Sequence, residues 1–199
     1  IVFGDWSSDV CSSDLGFHRH GECLQERRVA MTIWVDADSC PRQVRDIVVR
    51  AAKRTGAKAV FAANRPVPGL DKRSAEFILC PAGPDAADDY IVEHAKKGDL
   101  AITRDIPLAA RLVEAEIPAV NDRGAVYTKE NVRERLSVRN FMMDLAMNGL
   151  VPERVNGYGP KELKAFADGF DRELSRLLRE ERAESARSSP TLPAQDTAP

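Results

Sequence analysis

Between Thr32 and Val120, short uninterrupted apolar runs alternate with longer stretches in which apolar residues recur every three or four positions. Thr32-Ile33-Trp34-Val35 is β-branched or aromatic throughout and lacks polar alternation, which predicts a strand covered on both faces. From Gln43 to Arg54, Val44, Ile47, Val48 and Ala51 share one helical face, and Thr55-Gly56 ends the pattern. Lys58 to Asn64 predicts a second strand and Glu76 to Cys80 a third, separated by the proline-punctuated loop Arg65-Pro66-Val67-Pro68-Gly69. A strand, helix, strand order implies a right-handed parallel crossover.

The alternation continues. Asp85 is placed to cap a helix over Ala86 to Lys97, with Ala87, Ile91, His94 and Ala95 on one face. Leu100 to Thr103 reads as a fourth strand, Ile106 to Glu116 as a helix with Leu108, Ala109, Leu112 and Val113 inward, and Ile117 to Asn121 as a fifth strand. Repeated βα units predict an α/β fold, a doubly wound parallel sheet of about five strands with flanking helices. Beyond Gly124 only helices are expected. One is headed by Thr128, with Glu130 and Asn131 in its first turn, and runs to Asn148-Gly149; another runs from Pro160 to about Glu180 with Leu163, Phe166, Phe170, Leu174 and Leu177 along one face. From Glu181 onward the chain is rich in Ser, Pro, Ala and Thr without period, the composition of a disordered tail over 181–199.

Residues 1–30 carry no apolar period, no signal-peptide core and no arginine-rich amphipathic pattern. The string DWSSDVCSSDL, Asp5 to Leu15, resembles the translation of a sequencing-library adapter, so this segment is expected to be an extension foreign to the domain, with Met31 as the initiator and 31–180 as the folded unit. Setting it aside changes the cysteine reading. Cys40 and Cys80 remain, forming neither a disulfide framework nor a zinc spacing, and a reducing cytoplasm is the simplest expectation.

At 199 residues, 43% hydrophobic and 30% charged, the chain can bury one good-sized core, and no apolar run is long enough to span a membrane. A net charge of −2 provides no global basic field, so contact with nucleic acid would need a local patch. His94 is the one histidine of the expected domain, so a metal site would have to be built from oxygen ligands, which suits Mg²⁺ or Mn²⁺.

Carboxylates mark the strand ends. Asp36 and Asp38 follow the first strand, Asp105 follows the fourth, and Asp122 lies two residues past Val120 of the fifth. Parallel strands bring such ends to one edge, where α/β sheets bind ligands. Each acid has an ordinary explanation as well. Asp38 or Ser39 fits a helix cap ahead of Pro41, with Ser39 the better placed, and Asp105 fits a cap ahead of Pro107. Asp88 and Asp89 begin the second helix, where both complement the helix dipole; only one can face inward, and Asp88 is the better placed, a turn before Ile91. Several carboxylates gathered without basic partners repel one another unless a divalent cation neutralises them. A hard cation held by aspartates and water is apparatus for hydrolysing a phosphodiester.

The segments WVDADSCP, ANRPV, DAADDYIV, GDLAITRDIPLAARL and NDRG, followed by YTKENVRERLSVRNFMMDL, resemble the YaiI/YqxD family of bacterial PIN-like proteins over about residues 31 to 178. The resemblance implies a PIN-like, Rossmann-like parallel sheet with two additional C-terminal helices. It also implies a metal-dependent nuclease site in which Asp36 is the first-strand acid, Asp88 the helix acid of an ADD motif and Asp105 the acid of a T-x-D motif. Asp122 matches a more variable fourth acid, and Asp38 or Asp99 could assist.

Arg65, Arg104 and Arg123, at loops and strand ends, are candidates for phosphate contact, and Asn64 either touches ligand or starts a turn. Lys129, Arg133, Arg135 and Arg139 interleave with Glu130 and Glu134 and read as a solvated helix face. The leading expectation is a Mg²⁺- or Mn²⁺-dependent nuclease acting on RNA or single-stranded nucleic acid. The alternatives are a non-catalytic nucleic-acid or nucleotide-binding module and a hydrolase of small phosphoesters.

Overall fold

The computed structural model describes residues 31–69, 75–83, 85–149 and 157–188. The expected N-terminal extension and residues 189–199 lie outside the described residues.

In chain order the elements are β1 (Thr32–Asp36), α1 (Arg42–Thr55), β2 (Lys58–Ala63), β3 (Glu76–Leu79), α2 (Ala86–His94), β4 (Leu100–Ile102), α3 (Ile106–Glu114), β5 (Ala119–Val120), β6 (Val126–Tyr127), α4 (Lys129–Met147) and α5 (Pro160–Ser188). They form an α/β fold on one six-stranded sheet of order β3-β2-β1-β4-β5-β6. All pairs are parallel except β5 with β6. β1 is central and buried on both faces, as its unbroken apolar run requires. Its alternate residues feed two cores. Ile33 and Val35 pack with Val44 and Val48 of α1 and with Phe166, Phe170 and Leu174 of α5. Trp34 points the other way, into a core with Ile91 of α2, Leu108 and Leu112 of α3, and Val132 of α4.

The sixth strand was not expected. Asn121 makes it by accepting, through Oδ1, the backbone N–H groups of Arg123 at 2.9 Å and Ala125 at 2.8 Å. Gly124, at φ +80°, completes the reversal that lays Val126 against Val120. A two-residue strand carries no hydrophobic period by which it could be read.

Four helix ends also differ from expectation. Pro41 is the N-cap of α1 and no side chain caps that helix, so Ser39 is free for another role. Asp85 precedes α2 in the left-handed region, φ 61°, and its carboxylate makes no capping bond. His94 closes α2 from an exposed position, its ring stacked on Tyr90 at 4.0 Å rather than turned to the core. α5 continues past its expected end at Glu180 to Ser188. Residues 181–188 are mostly Glu, Arg and Ala, strong helix formers, and one turn earlier Arg176 pairs with Glu180 at 2.6 Å. The expected caps of α3 and α4 are present. The Asp105 carboxylate accepts Leu108 N–H, and Thr128 and Asn131 form a reciprocal capping box.

α5 crosses the β5–β6 turn at backbone contact. A Cβ on Gly169 would stand 2.1 Å from the Gly124 carbonyl oxygen, and a Cβ on Gly124 equally close to that of Ala165. Tyr158 adds a hydrogen bond from its hydroxyl to the Asp122 carbonyl at 2.8 Å. The turn that carries Asp122 and Arg123 is thereby clamped from the C-terminal side.

Candidate functional site

The chain leaves β1 toward β2 on one side and later returns to β4 on the other, so the strand order reverses between β1 and β4. The crevice above such a reversal is where α/β sheets bind ligands. Asp36 stands there at the end of β1, 4% exposed. Its Oδ2 accepts two hydroxyl donors, Ser39 Oγ at 2.6 Å and Thr103 Oγ1 at 2.9 Å. Each hydroxyl in turn accepts a backbone N–H from the segment after β4, Thr103 from Asp105 at 2.9 Å and Ser39 from Arg104 at 3.4 Å. Both hydroxyls tie the end of β1 to the start of α3.

Asp36, Asp85, Asp88 and Asp105 line one cleft of about 280 Å³, together with Asp38, Ser39, Asn64 and Ala87. Asp88 has no hydrogen bond or ion pair among the described residues. Burial, then the charges of Asp36, Asp105 and Asp85, push its carboxyl up to about 7, with Arg111 opposing weakly. Asp89 points elsewhere and pairs with Arg111 of α3 at 2.7 Å. Asp105 serves two purposes at once, since the Oδ2 that caps α3 at 3.0 Å from Leu108 N leaves its other oxygen unbonded among the described residues.

The acids at the margins are arranged differently. Asp38 accepts Asn64 N–H at 2.7 Å and Arg65 Nε–H at 3.1 Å, so its charge is engaged by an arginine. Asp122, 5% exposed, lies 3.3 Å from Arg104 Nε without hydrogen-bond geometry, and its Oδ2 has no other partner among the described residues. It sits outside the cleft, as does Arg123, whose backbone serves the turn. Asn64 lines the cleft, donates through Nδ2 to Gly83 O at 3.0 Å, and keeps a buried Oδ1 without a partner among the described residues. Asp99 belongs to the opposite end of the sheet. It accepts Thr32 N–H, Trp34 Nε1–H and Lys96 N–H at 2.8, 3.0 and 2.9 Å, so it cannot assist the other acids.

Ser39, Thr103 and Asp85 are members of this site that the sequence reading passed over. Ser39 and Thr103 carried a signal, a hydroxyl three residues after Asp36 and another two before Asp105, whereas the lining role of Asp85 depends on a left-handed backbone that no spacing announces. Burial pushes the Cys40 thiol up to about 12 and raises that of Cys80, which fits packing rather than reactivity. Among the described residues no three carboxylate, imidazole or thiolate side chains converge as a ready-made cation site.

Residues 34–176, from β1 into α5, match the model of a family described as "Uncharacterized BCR, YaiI/YqxD family". The chain belongs to the YaiI/YqxD family. Among its relatives is a UPF0178 protein of Treponema pallidum, 50% identical over 158 residues, which are 79% of this chain and 89% of that one. A UPF0178 protein of Treponema denticola is 44% identical over 155 residues, 78% and 99% of the two chains. One of Myxococcus xanthus is 46% identical over 151 residues, 76% and 99%. All the strand-end acids fall inside the region matched to the YaiI/YqxD family. Among the described residues no helix is long and apolar enough to cross a membrane.

Proposed function

We propose that this YaiI/YqxD protein is a divalent-metal-dependent phosphodiester hydrolase, a nuclease of PIN-like type. The observation that carries the reading is the set of cleft acids at the β1/β4 reversal that lack a basic partner, with Asp88 pushed up to about 7 by burial and its neighbours. Such a group is costly to ionise unless a cation shares its field. The donor set is oxygen only, which fits Mg²⁺ or Mn²⁺, and a hard cation of this kind commonly takes one or two carboxylates, waters and substrate phosphate rather than a full protein cage. That coordination habit is compatible with the lack of three convergent ligands among the described residues.

Asp36, Asp88 and Asp105 are the residues that would hold the ion. When bound, it supplies positive charge where phosphodiester hydrolysis accumulates negative charge. The rest of the work falls to the chain. Ser39 and Thr103 fix Asp36 through one oxygen and leave Oδ1 without a partner among the described residues. Asp38 orients Arg65 at the rim, and Asp122 holds Arg104 near the other side; these guanidinium groups, 76% and 54% exposed, are available to phosphate oxygens. Asp38 and Asp122 thus act by positioning arginines rather than as ligands.

A calorimetric titration of the full chain with Mn²⁺, set beside Asp36→Asn, tests the reading. Saturable binding that weakens at least tenfold in the variant, about 1.4 kcal/mol, together with Mn²⁺-dependent cleavage of oligonucleotides, supports it. Cleavage independent of substrate length would point to a small-phosphoester hydrolase. Absence of binding in the parent would remove the metal-dependent reading and favour a non-catalytic binding module.

A further inference from the structure

A second cleft, of about 600 Å³, lies between the start of α3 and the middle of α4. Asp105 stands in the wall of both clefts, so the two adjoin. The chemistry of this one is the reverse of its neighbour: Arg104, Arg135 and Arg139 line it with Ile106, Val138 and Met142, and Glu134 is the other acid beside Asp105. Arg135 is held over the Tyr127 ring, 5.4 Å from its centroid. Arg139 has no ion pair among the described residues. The expectation that Arg135 and Arg139 belong to an evenly solvated face is corrected here, because α3 packs alongside and gathers them with Arg104.

We infer that this cleft seats the phosphodiester backbone of a single-stranded nucleic acid beside the acidic cleft. The inference rests on the reading of the strand-end acids as a phosphodiester-cleaving site and names the substrate class that site would receive. A chain of net charge −2 repels a polyanion overall, and the acidic cleft repels it locally, so a strand needs cations next to the acids to remain there. Arg104, Arg135 and Arg139 supply them within one cleft.

The apolar part selects among nucleic acids. Residues three and four apart share a helix face, so Val138, Phe141 and Met142 form one strip along α4, and Val138 and Phe141 are 52% and 61% exposed. A duplex hides its base faces and offers mainly phosphate and sugar to such a surface. A single strand offers unstacked bases, which bind aromatic and apolar side chains beside a basic track. An alternation of arginine with aliphatic and aromatic positions therefore suits a strand better than a duplex.

Fluorescence anisotropy of the full chain with labelled oligouridine and oligothymidine dodecamers, in EDTA so that nothing is cut, is the test. Saturable binding is expected, weaker for a duplex of the same length. Arg135→Glu with Arg139→Glu should weaken it at least tenfold and lower the salt dependence by about 1.4 in log–log slope, two phosphates' worth on a single strand. Phe141→Ala should weaken it about fivefold. Arg139→Gln, a milder change on an accessible helix face, should give an intermediate loss with an unaltered melting temperature, which separates lost contact from lost fold. Parental affinity in the folded charge-reversal variant overturns the inference, as does absence of saturable binding or a dimer in sedimentation that Phe141→Ala dissolves. Oligonucleotide binding that depends on the arginines, with no Mn²⁺ binding and no cleavage, would remove the hydrolase reading and leave the arginine cleft standing.

Discussion

The two ends of this sheet treat a buried aspartate in opposite ways. At the N-terminal end Asp99, 7% exposed, accepts three N–H donors, from Thr32, Trp34 and Lys96. At the C-terminal end Asp36, 4% exposed, receives two hydroxyls on one oxygen, and Asp88 receives nothing among the described residues. N–H groups can only donate, so Asp99 serves purely as an acceptor that joins β1 to β4. Hydroxyls both donate and accept, and they leave carboxylate capacity over. Burial alone does not distinguish a structural acid from a site acid; the completeness of its donor set does.

The comparison breaks most visibly at Asp99. Asp99→Ala would strand three donors, two of them backbone N–H groups, and should cost about 3 kcal/mol of stability in urea unfolding, with Mn²⁺ affinity unchanged in the folded fraction. A comparable loss of Mn²⁺ affinity would mean that the two ends are coupled. Thr103→Val should be milder. It removes a donor to Asp36 and an acceptor for Asp105 N–H, so a loss of about 1 kcal/mol is expected, with Mn²⁺ binding weakened several-fold because Asp36 is free to turn. Unfolding and calorimetry on the same variant would check both halves.

The smallest effect, and the one that sharpens the comparison, is the pH dependence at Asp88. Its proton is held more tightly in the folded protein, so between the ordinary value of 3.8 and about 7 the folded state keeps a proton that the unfolded chain has lost. Folding stability contributed by this group is therefore highest at the acidic side and falls as pH rises through that window. Asp88→Asn should flatten the decline in melting temperature between pH 5 and pH 8. A variant whose curve runs parallel to the parent would show that the repulsion lies elsewhere. In the parent, saturating Mn²⁺ at pH 8 should restore part of the lost stability.

Much of this arrangement was legible in the chain. The strand-end acids could be found because an apolar run that stops at an aspartate fixes that aspartate to the sheet edge, whatever the remaining contacts are. Asp105 was legible as a cap and as a strand-end acid, and it caps α3 while lining the cleft. The pairing of Asp38 with Arg65 spans 27 residues, and the gathering of Arg104 with Arg135 and Arg139 depends on how α3 meets α4. Neither distance is encoded in local spacing. Asp99 did carry a local signal, since it precedes its strand and so belongs to the opposite edge, but only the sheet order turns that offset into a separation. β6 escaped because its turn chemistry, Asn121 with Gly124, was visible while the strand it creates is two residues long.

The placement of α5 has a consequence for biosynthesis. α1 and one face of β1 and β2 are translated early, yet Phe166, Phe170, Leu174, Leu177 and Leu178, which cover them, are translated more than a hundred residues after α1. Until α5 clears the ribosome, that apolar surface has no lid, and the turn clamped at Gly169 has no clamp. The nascent chain therefore carries an open apolar face until its last helix is made, and the turn with Asp122 and Arg123 is fixed later than Asp36 and Asp105, whose partners all precede it in the chain.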